Sequence, residues 1–178
     1  MSRIRFLIIF FLFFSIGFPP RPANAEVQKI EDYKLKALFL YQFAGYVSWP
    51  RPHEKFQIAI YGKNPKLFEY LQKIAETKQI RSSKIEVIQT TDIEILSDSQ
   101  VVFFHGKEHL EQEKKAIQKL SDKEILILAD HGHSLDNGAM ILFLIRGKKL
   151  KFSISKSNIN NANLQISSKI LKLAEEVK

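Results

Sequence analysis

A chain of 178 residues with 45% hydrophobic residues is long enough to bury a core of its own as one domain. It holds no cysteine, which excludes a disulfide framework and a lipid anchor attached through a cysteine. Its formal charge of +8 is spread over scattered lysines without interleaved aromatics, so a nucleic-acid platform is excluded and no nucleic-acid partner is expected.

Arg3 and Arg5 precede an apolar run over residues 6–14, and Ala23-Asn24-Ala25 forms a small-x-small motif. The pattern predicts a secretory signal peptide over residues 1–25, cut after Ala25, and a single domain over residues 26–178. A retained membrane anchor is the competing reading. Spanning a bilayer takes about 20 apolar residues, and Pro19, Pro20, Arg21 and Pro22 interrupt this run too early.

Ile30, Tyr33, Leu35, Leu38, Phe39 and Gln42 recur at helical spacing and predict a first helix over residues 30–47. Trp49-Pro50-Arg51-Pro52 ends it, because proline disfavours helical geometry in the residue before it. Residues 56–61 form a short apolar strand closed by Gly62. Asn64 as N-cap and Pro65 at the first helical position then start a helix with Leu67, Phe68, Leu71 and Ile74 on one face. Residues 84–88 and 99–104 read as strands, 109–120 as a charged helix, and the unbroken apolar run over 124–129 as a buried parallel strand. Strands alternating with helices predict an α/β three-layer sandwich, Rossmann- or flavodoxin-like, with a mostly parallel sheet.

Beyond Asp130 the pattern changes. Residues 139–145 and 150–154, separated by Arg146-Gly147-Lys148-Lys149, predict an antiparallel hairpin at the sheet edge. Residues 158–177 are expected to close the chain as one helix, burying Leu164, Ile166, Ile170, Leu171 and Leu173.

Asp130-His131-Gly132-His133 follows a predicted parallel strand, where ligands of open α/β sheets bind. His105 also follows a strand, with His109 close in sequence, so the two loops are placed to approach each other. A zinc or copper site would draw on His105, His131 and His133 with Asp130. The isolated His-x-His spacing is weak support, and a loop that caps the sheet is the simpler reading. Ser134, Ser167 and Ser168 lack a nucleophile elbow, and no glycine-rich phosphate loop opens a helix. No catalytic residue, no cofactor and no enzymatic activity are expected. Phe39, Phe43, Tyr46 and Trp49 at three- or four-residue spacing read first as core. Tyr41, off that face, and Trp49, at the helix exit, are candidate surface anchors, since such residues are enriched at binding hot spots.

Taken together, these segments resemble the YfiR family of small periplasmic regulators, long catalogued as a domain of unknown function. The family's opening helix is matched by Lys36-Ala37-Leu38-Phe39-Leu40-Tyr41-Gln42-Phe43-Ala44 and Val47-Ser48-Trp49-Pro50, and its first strand by Phe56, Ile58 and Gly62. Its late strand, loop and strand pair are matched by Asp130, Gly138, Met140 and Ile141. Its closing pattern is matched by Leu164, Ile166, Ser167, Ser168, Leu171, Leu173 and Ala174, with Ile170 in place of one leucine. The resemblance implies a periplasmic homodimer that binds and represses the sensing region of an inner-membrane diguanylate cyclase, or of another membrane sensor protein such as a histidine kinase or receptor. Control of cyclic-di-GMP and biofilm formation would follow. Some relatives carry a disulfide switch, which a chain without cysteine cannot operate. On this reading Tyr41, Tyr46, Trp49, Asp130, His131, His133 and Asp136 are the expected partner or dimer surface. The alternative is a periplasmic sensor of a small molecule or metal, using the loop from Asp130 to His133.

Overall fold

The protein is described by a computed structural model covering residues 23–106, 110–147 and 149–178. Residues 1–22 of the expected leader, His109 and Lys148 of the expected hairpin turn lie outside the described residues. In chain order, helix α1 (Ala23–Tyr46) leads into β1 (Val47–Ser48) and β2 (Lys55–Tyr61), then α2 (Pro65–Thr77), β3 (Gln79–Ile80) and β4 (Ser83–Thr90). The short α3 (Ile93–Leu96), β5 (Val101–Phe104), α4 (Leu110–Leu120) and β6 (Leu126–Ala129) follow. The chain finishes with the hairpin β7 (Ile141–Arg146) and β8 (Lys149–Ile154), then α5 (Lys156–Asn161), β9 (Gln165–Ile166), α6 (Ser168–Leu171) and β10 (Glu176–Val177).

Eight strands form one sheet in the order β10-β8-β7-β6-β5-β2-β4-β3, while β1 and β9 pair separately as an antiparallel two-stranded sheet. The pairs β4·β2, β2·β5, β5·β6 and β6·β7 are parallel. Counted in chain order, these five strands lie side by side as 2-1-3-4-5, the flavodoxin-like arrangement. The expected α/β sandwich is therefore observed. Hairpin β7·β8 is antiparallel as expected, and β10 adds a two-residue parallel strand outside it.

Alternation along the strands builds two cores on opposite faces, because successive side chains of a strand point to opposite sides. Phe56, Ile58, Ile60, Val101, Phe103 and Leu126 belong to the larger cluster. Their immediate neighbours Ala59, Tyr61, Val102, Phe104 and Ile127 belong to the smaller one, with Ile117 and Leu120 of α4. On the larger side α1 lies over the hairpin. The Phe43 ring is 5.0 Å from Phe152 and 6.1 Å from Phe143, and Phe39 stacks on Phe43 at 5.7 Å. Asn64 caps α2 by accepting from the Leu67 N–H at 3.2 Å, with Pro65 at the first helical position, as the sequence indicates.

Two expectations are corrected. The buried stripe of α1 is Ala37, Leu40, Phe43 and Ala44, all fully buried. Leu35 and Leu38, expected inside, are exposed. The phase of the stripe follows the aromatic rings of β7 and β8, which the helix's own sequence does not contain. The expected closing helix over residues 158–177 is instead α5, β9, α6 and β10. Here Ser and Asn side chains compete for the backbone. Ser155 and Ser167 cap two short helices, and Asn163 takes a left-handed turn at φ 56°. Leu164 and Ile170 are buried as expected, but Leu173 is exposed.

The connection from β6 to β7 is a run of turns rather than a helix. The Asn158 side chain donates to the carbonyls of Leu135 and Ala139 at 2.8 and 2.7 Å, tying this loop to α5. Gly138 closes the loop at φ +113°, where a Cβ would sit 2.7 Å from the Ser121 Cβ. Gly138→Ala combines left-handed strain with overpacking and is expected to cost about 2 kcal/mol. Denaturant unfolding checks this, and a loss below about 0.5 kcal/mol would show that the loop yields freely.

Candidate functional site

β5 and β6 run in parallel with Phe104 opposite Ala129, so the residues after them, His105 and Asp130, leave the sheet side by side. His105 Nδ1 lies 2.7 Å from Asp130 Oδ2 and donates to it, a carboxylate being able only to accept. The Gly106 N–H donates to Oδ1 at 3.0 Å. From α1, Lys36 Nζ reaches Oδ2 at 2.6 Å, with both side chains about a tenth exposed or less. On the other side His131 places Nδ1 at 3.6 Å from Asp130 Oδ1 and Nε2 at 2.6 Å from Glu113 Oε2 of α4. The 3.6 Å approach is too long for a hydrogen bond. The Glu113 contact, though close, is bent away from hydrogen-bond geometry, and both contacts act as charge attraction.

Burial by itself would raise the Asp130 carboxyl. The imidazoles of His105 and His131 and the charge of Lys36 outweigh it and hold the group well below the usual carboxylate range. The Asp130 and Glu113 carboxylates push the His131 imidazole up to about 9, against the burial that lowers it. The cluster is thus a buried, charge-compensated clamp joining α1, α4 and the ends of β5 and β6.

Its chemistry is restrained. The Ser134 hydroxyl donates to the carbonyl of His131, which leaves it committed within the loop. Among the described residues no group of three His, Cys, Asp or Glu side chains is arranged to hold a metal. His105 and His131 both meet Asp130, while His133 is 92% exposed with its ring 3.3 Å from Asp136. The three histidines of the metal alternative therefore do not converge.

The residues expected at a partner surface separate into two sets. Trp49 is buried, and its indole N–H donates to the Glu124 carbonyl at 3.0 Å. Asp130 and His131 are held inside the clamp. Tyr46, His133 and Asp136 are exposed, and Tyr41 is half-buried with its hydroxyl 3.5 Å from the Gln79 carbonyl. Among the described residues, Tyr41, Tyr46 and Trp49 make no hydrogen bond or ion pair with the Asp130 cluster.

Lys36 and Glu113 are the members that the sequence reading missed, although each leaves a trace. Lys36 stands on the stripe of Leu40, Phe43, Ala44 and Val47, and Glu113 on that of Ala116, Ile117 and Leu120. A charged residue on an apolar helical stripe is buried only when it is paired.

A family model described as YfiR/HmsC-like matches residues 33–175 of the chain. No curated protein matches it by sequence. Among solved structures, a conserved domain protein from Vibrio cholerae O1 biovar eltor superposes with a TM-score of 0.60 at 11% identity, covering 82% of this chain and 60% of that one. The ABC domain in complex with L-Trp from Streptococcus pneumonia gives a TM-score of 0.53 at 10% identity, covering 80% of this chain and 60% of that one. At such identities the likeness concerns fold alone, and this chain spans about 60% of the length of either protein. Among the described residues no helix is long and apolar enough to cross a membrane.

Proposed function

The chain belongs to the YfiR/HmsC-like family, and on that premise we propose that it is a non-catalytic periplasmic regulator that binds the sensing region of an inner-membrane signalling protein, a diguanylate cyclase above all, and holds it inactive. The family match across residues 33–175 carries the reading. The geometry supports it in one respect. The titratable groups that looked chemical in sequence are spent on internal ion pairs, so the loop after β6 is braced from within and presents His133 and Asp136 outward. An inhibitor of this kind works by binding the inactive state of its partner more tightly than the active one. Export through a leader over residues 1–25 and assembly as a homodimer belong to the same proposal.

Deleting the gene in its native host is expected to raise cellular cyclic-di-GMP. Unchanged levels under every growth condition tested would remove the cyclase as partner. Tyr46→Glu and His133→Glu, both at exposed positions, are expected to weaken capture of the cyclase's periplasmic region by about tenfold, or roughly 1.4 kcal/mol. Melting temperatures should stay within a degree or two of the parent. Undiminished capture by both variants would place the interface elsewhere.

A further inference from the structure

At the end of the sheet away from Asp130, a cavity of about 310 Å³ opens between the segment after β1 and the β3–β4 hairpin. Trp49, Arg51, His53, Phe56, Arg81 and Ser83 are among its lining residues, and no carboxylate lines it. Its volume falls at the lower end of ligand pockets, roughly 300–1,000 Å³.

The polar groups around it have fixed identities. The Gln57 backbone N–H can only donate, so the Gln100 atom 2.7 Å from it is the amide oxygen. The other end of that amide, its NH2, therefore faces His53 Nδ1 at 3.3 Å, and Nδ1 must accept. Burial and the neighbouring Arg51 lower the affinity of this imidazole for a second proton, so the single ring proton sits on Nε2. That Nε2 is buried and has no hydrogen-bond partner.

The two arginines are incompletely used. Arg51 gives Nε and Nη2 to Glu124 at 3.2 and 3.0 Å. Arg81 gives Nη2 to the Val47 carbonyl and Ser48 Oγ, with its guanidinium 6.0 Å from the Trp49 ring centre. Among the described residues, Nη1 of each arginine makes no hydrogen bond. Arg81 and Ser82 also occupy left-handed backbone at φ 50° and 70°. They stand at the two central positions of a hairpin turn where Asn-Gly is the favoured pair. Such strain persists where surrounding structure demands it and concentrates at binding sites.

We propose that this cavity binds a small organic carboxylate, its charged head taken by Arg51 and Arg81 and its apolar body resting against Trp49 and Phe56. Two guanidinium groups, one of them paired on its far side with Glu124, select an anion. The indole and its edge-on phenyl neighbour, 5.1 Å apart, select a compact apolar body over a bare ion.

Trp49 is the chain's single tryptophan, so its fluorescence reports this site alone. Benzoate, benzyl alcohol and inorganic phosphate, titrated separately into the purified protein, test the proposal. Benzoate is expected to change the emission saturably, and the neutral alcohol and phosphate to bind about tenfold or more weakly, as the loss of one charge-assisted contact requires. Arg51→Gln, at a largely exposed side chain, should weaken benzoate by about tenfold while leaving circular dichroism and melting temperature unchanged. Absence of saturation at 10 mM benzoate (roughly 3 kcal/mol of binding energy) would overturn the site. Equal binding of benzyl alcohol would reduce it to an apolar cleft, and equal binding of phosphate to a surface anion contact. An unaltered Arg51→Gln would equally reject it. The regulatory reading is tested separately, by Tyr46→Glu and His133→Glu, neither of which lines the cavity.

Discussion

Asp130→Asn is expected to destabilise the protein by about 4 kcal/mol, lowering the melting temperature by roughly 12 °C. Asparagine keeps the shape of the side chain but removes the charge that Lys36, at 2.6 Å, was buried to meet. The His105 and Gly106 donors at 2.7 and 3.0 Å lose a carboxylate as well. A lysine with a tenth of its side chain exposed then carries an uncompensated charge, and that desolvation dominates the cost. The double variant Lys36→Met with Asp130→Asn should recover part of the loss, because the stranded charge is gone. A single-variant loss below 1 kcal/mol in urea unfolding would falsify the clamp. The same pairing fixes the acid limb of stability. The folded-state Asp130 carboxyl is held below its ordinary range, so its contribution is present above the unfolded carboxylate value of about 3.9 and is lost as pH falls below it.

The second large effect lies on the alkaline side. His131 is raised to about 9 when folded, against about 6.5 when unfolded. Between those values the native state holds a proton that the unfolded chain releases, so stability is greatest below pH 6.5 and declines as pH rises through 9. The fall is expected to be about 3 kcal/mol between pH 6.5 and 9.5. Glu113→Gln removes one of the two carboxylates that sustain the raised value. It should lower stability at pH 7 by about 2 kcal/mol and flatten the alkaline decline. A wild-type profile level from pH 6.5 to 9.5 would show that His131 is not charged in the folded state.

Much of the fold is legible locally. The alternation in the strands, the Asn64-Pro65 helix start and the paired strands around Gly147 are short-range patterns, and all three are observed where the residues place them. The closing segment is not legible in this way. Leu164, Ile166 and Ile170 satisfy a helical template, yet Ser155, Ser167 and Asn163 divide the segment by bonding or bending the backbone. The stripe of α1 is mis-phased for a different reason. The face that this helix buries is the one that meets the rings of Phe143 and Phe152, which lie about a hundred residues away in the chain.

The candidate site shows the same division. Adjacent strand ends carrying His105 and Asp130 follow from the alternating pattern, and the structure brings them together. The role of that meeting does not follow. In sequence the Asp-His-Gly-His loop invites a metal, whereas in space two of its four members are consumed by Lys36 and Glu113 and one faces solvent. By itself the sequence determined the family signature, the layered α/β order and the place where the loop leaves the sheet, because these rest on periodicity and turn chemistry within a few residues. Only the tertiary structure decided which charges pair and which side chains remain exposed. Lys36 and Asp130 stand 94 residues apart, and a buried charge is assigned its partner by the packing that excludes water from both.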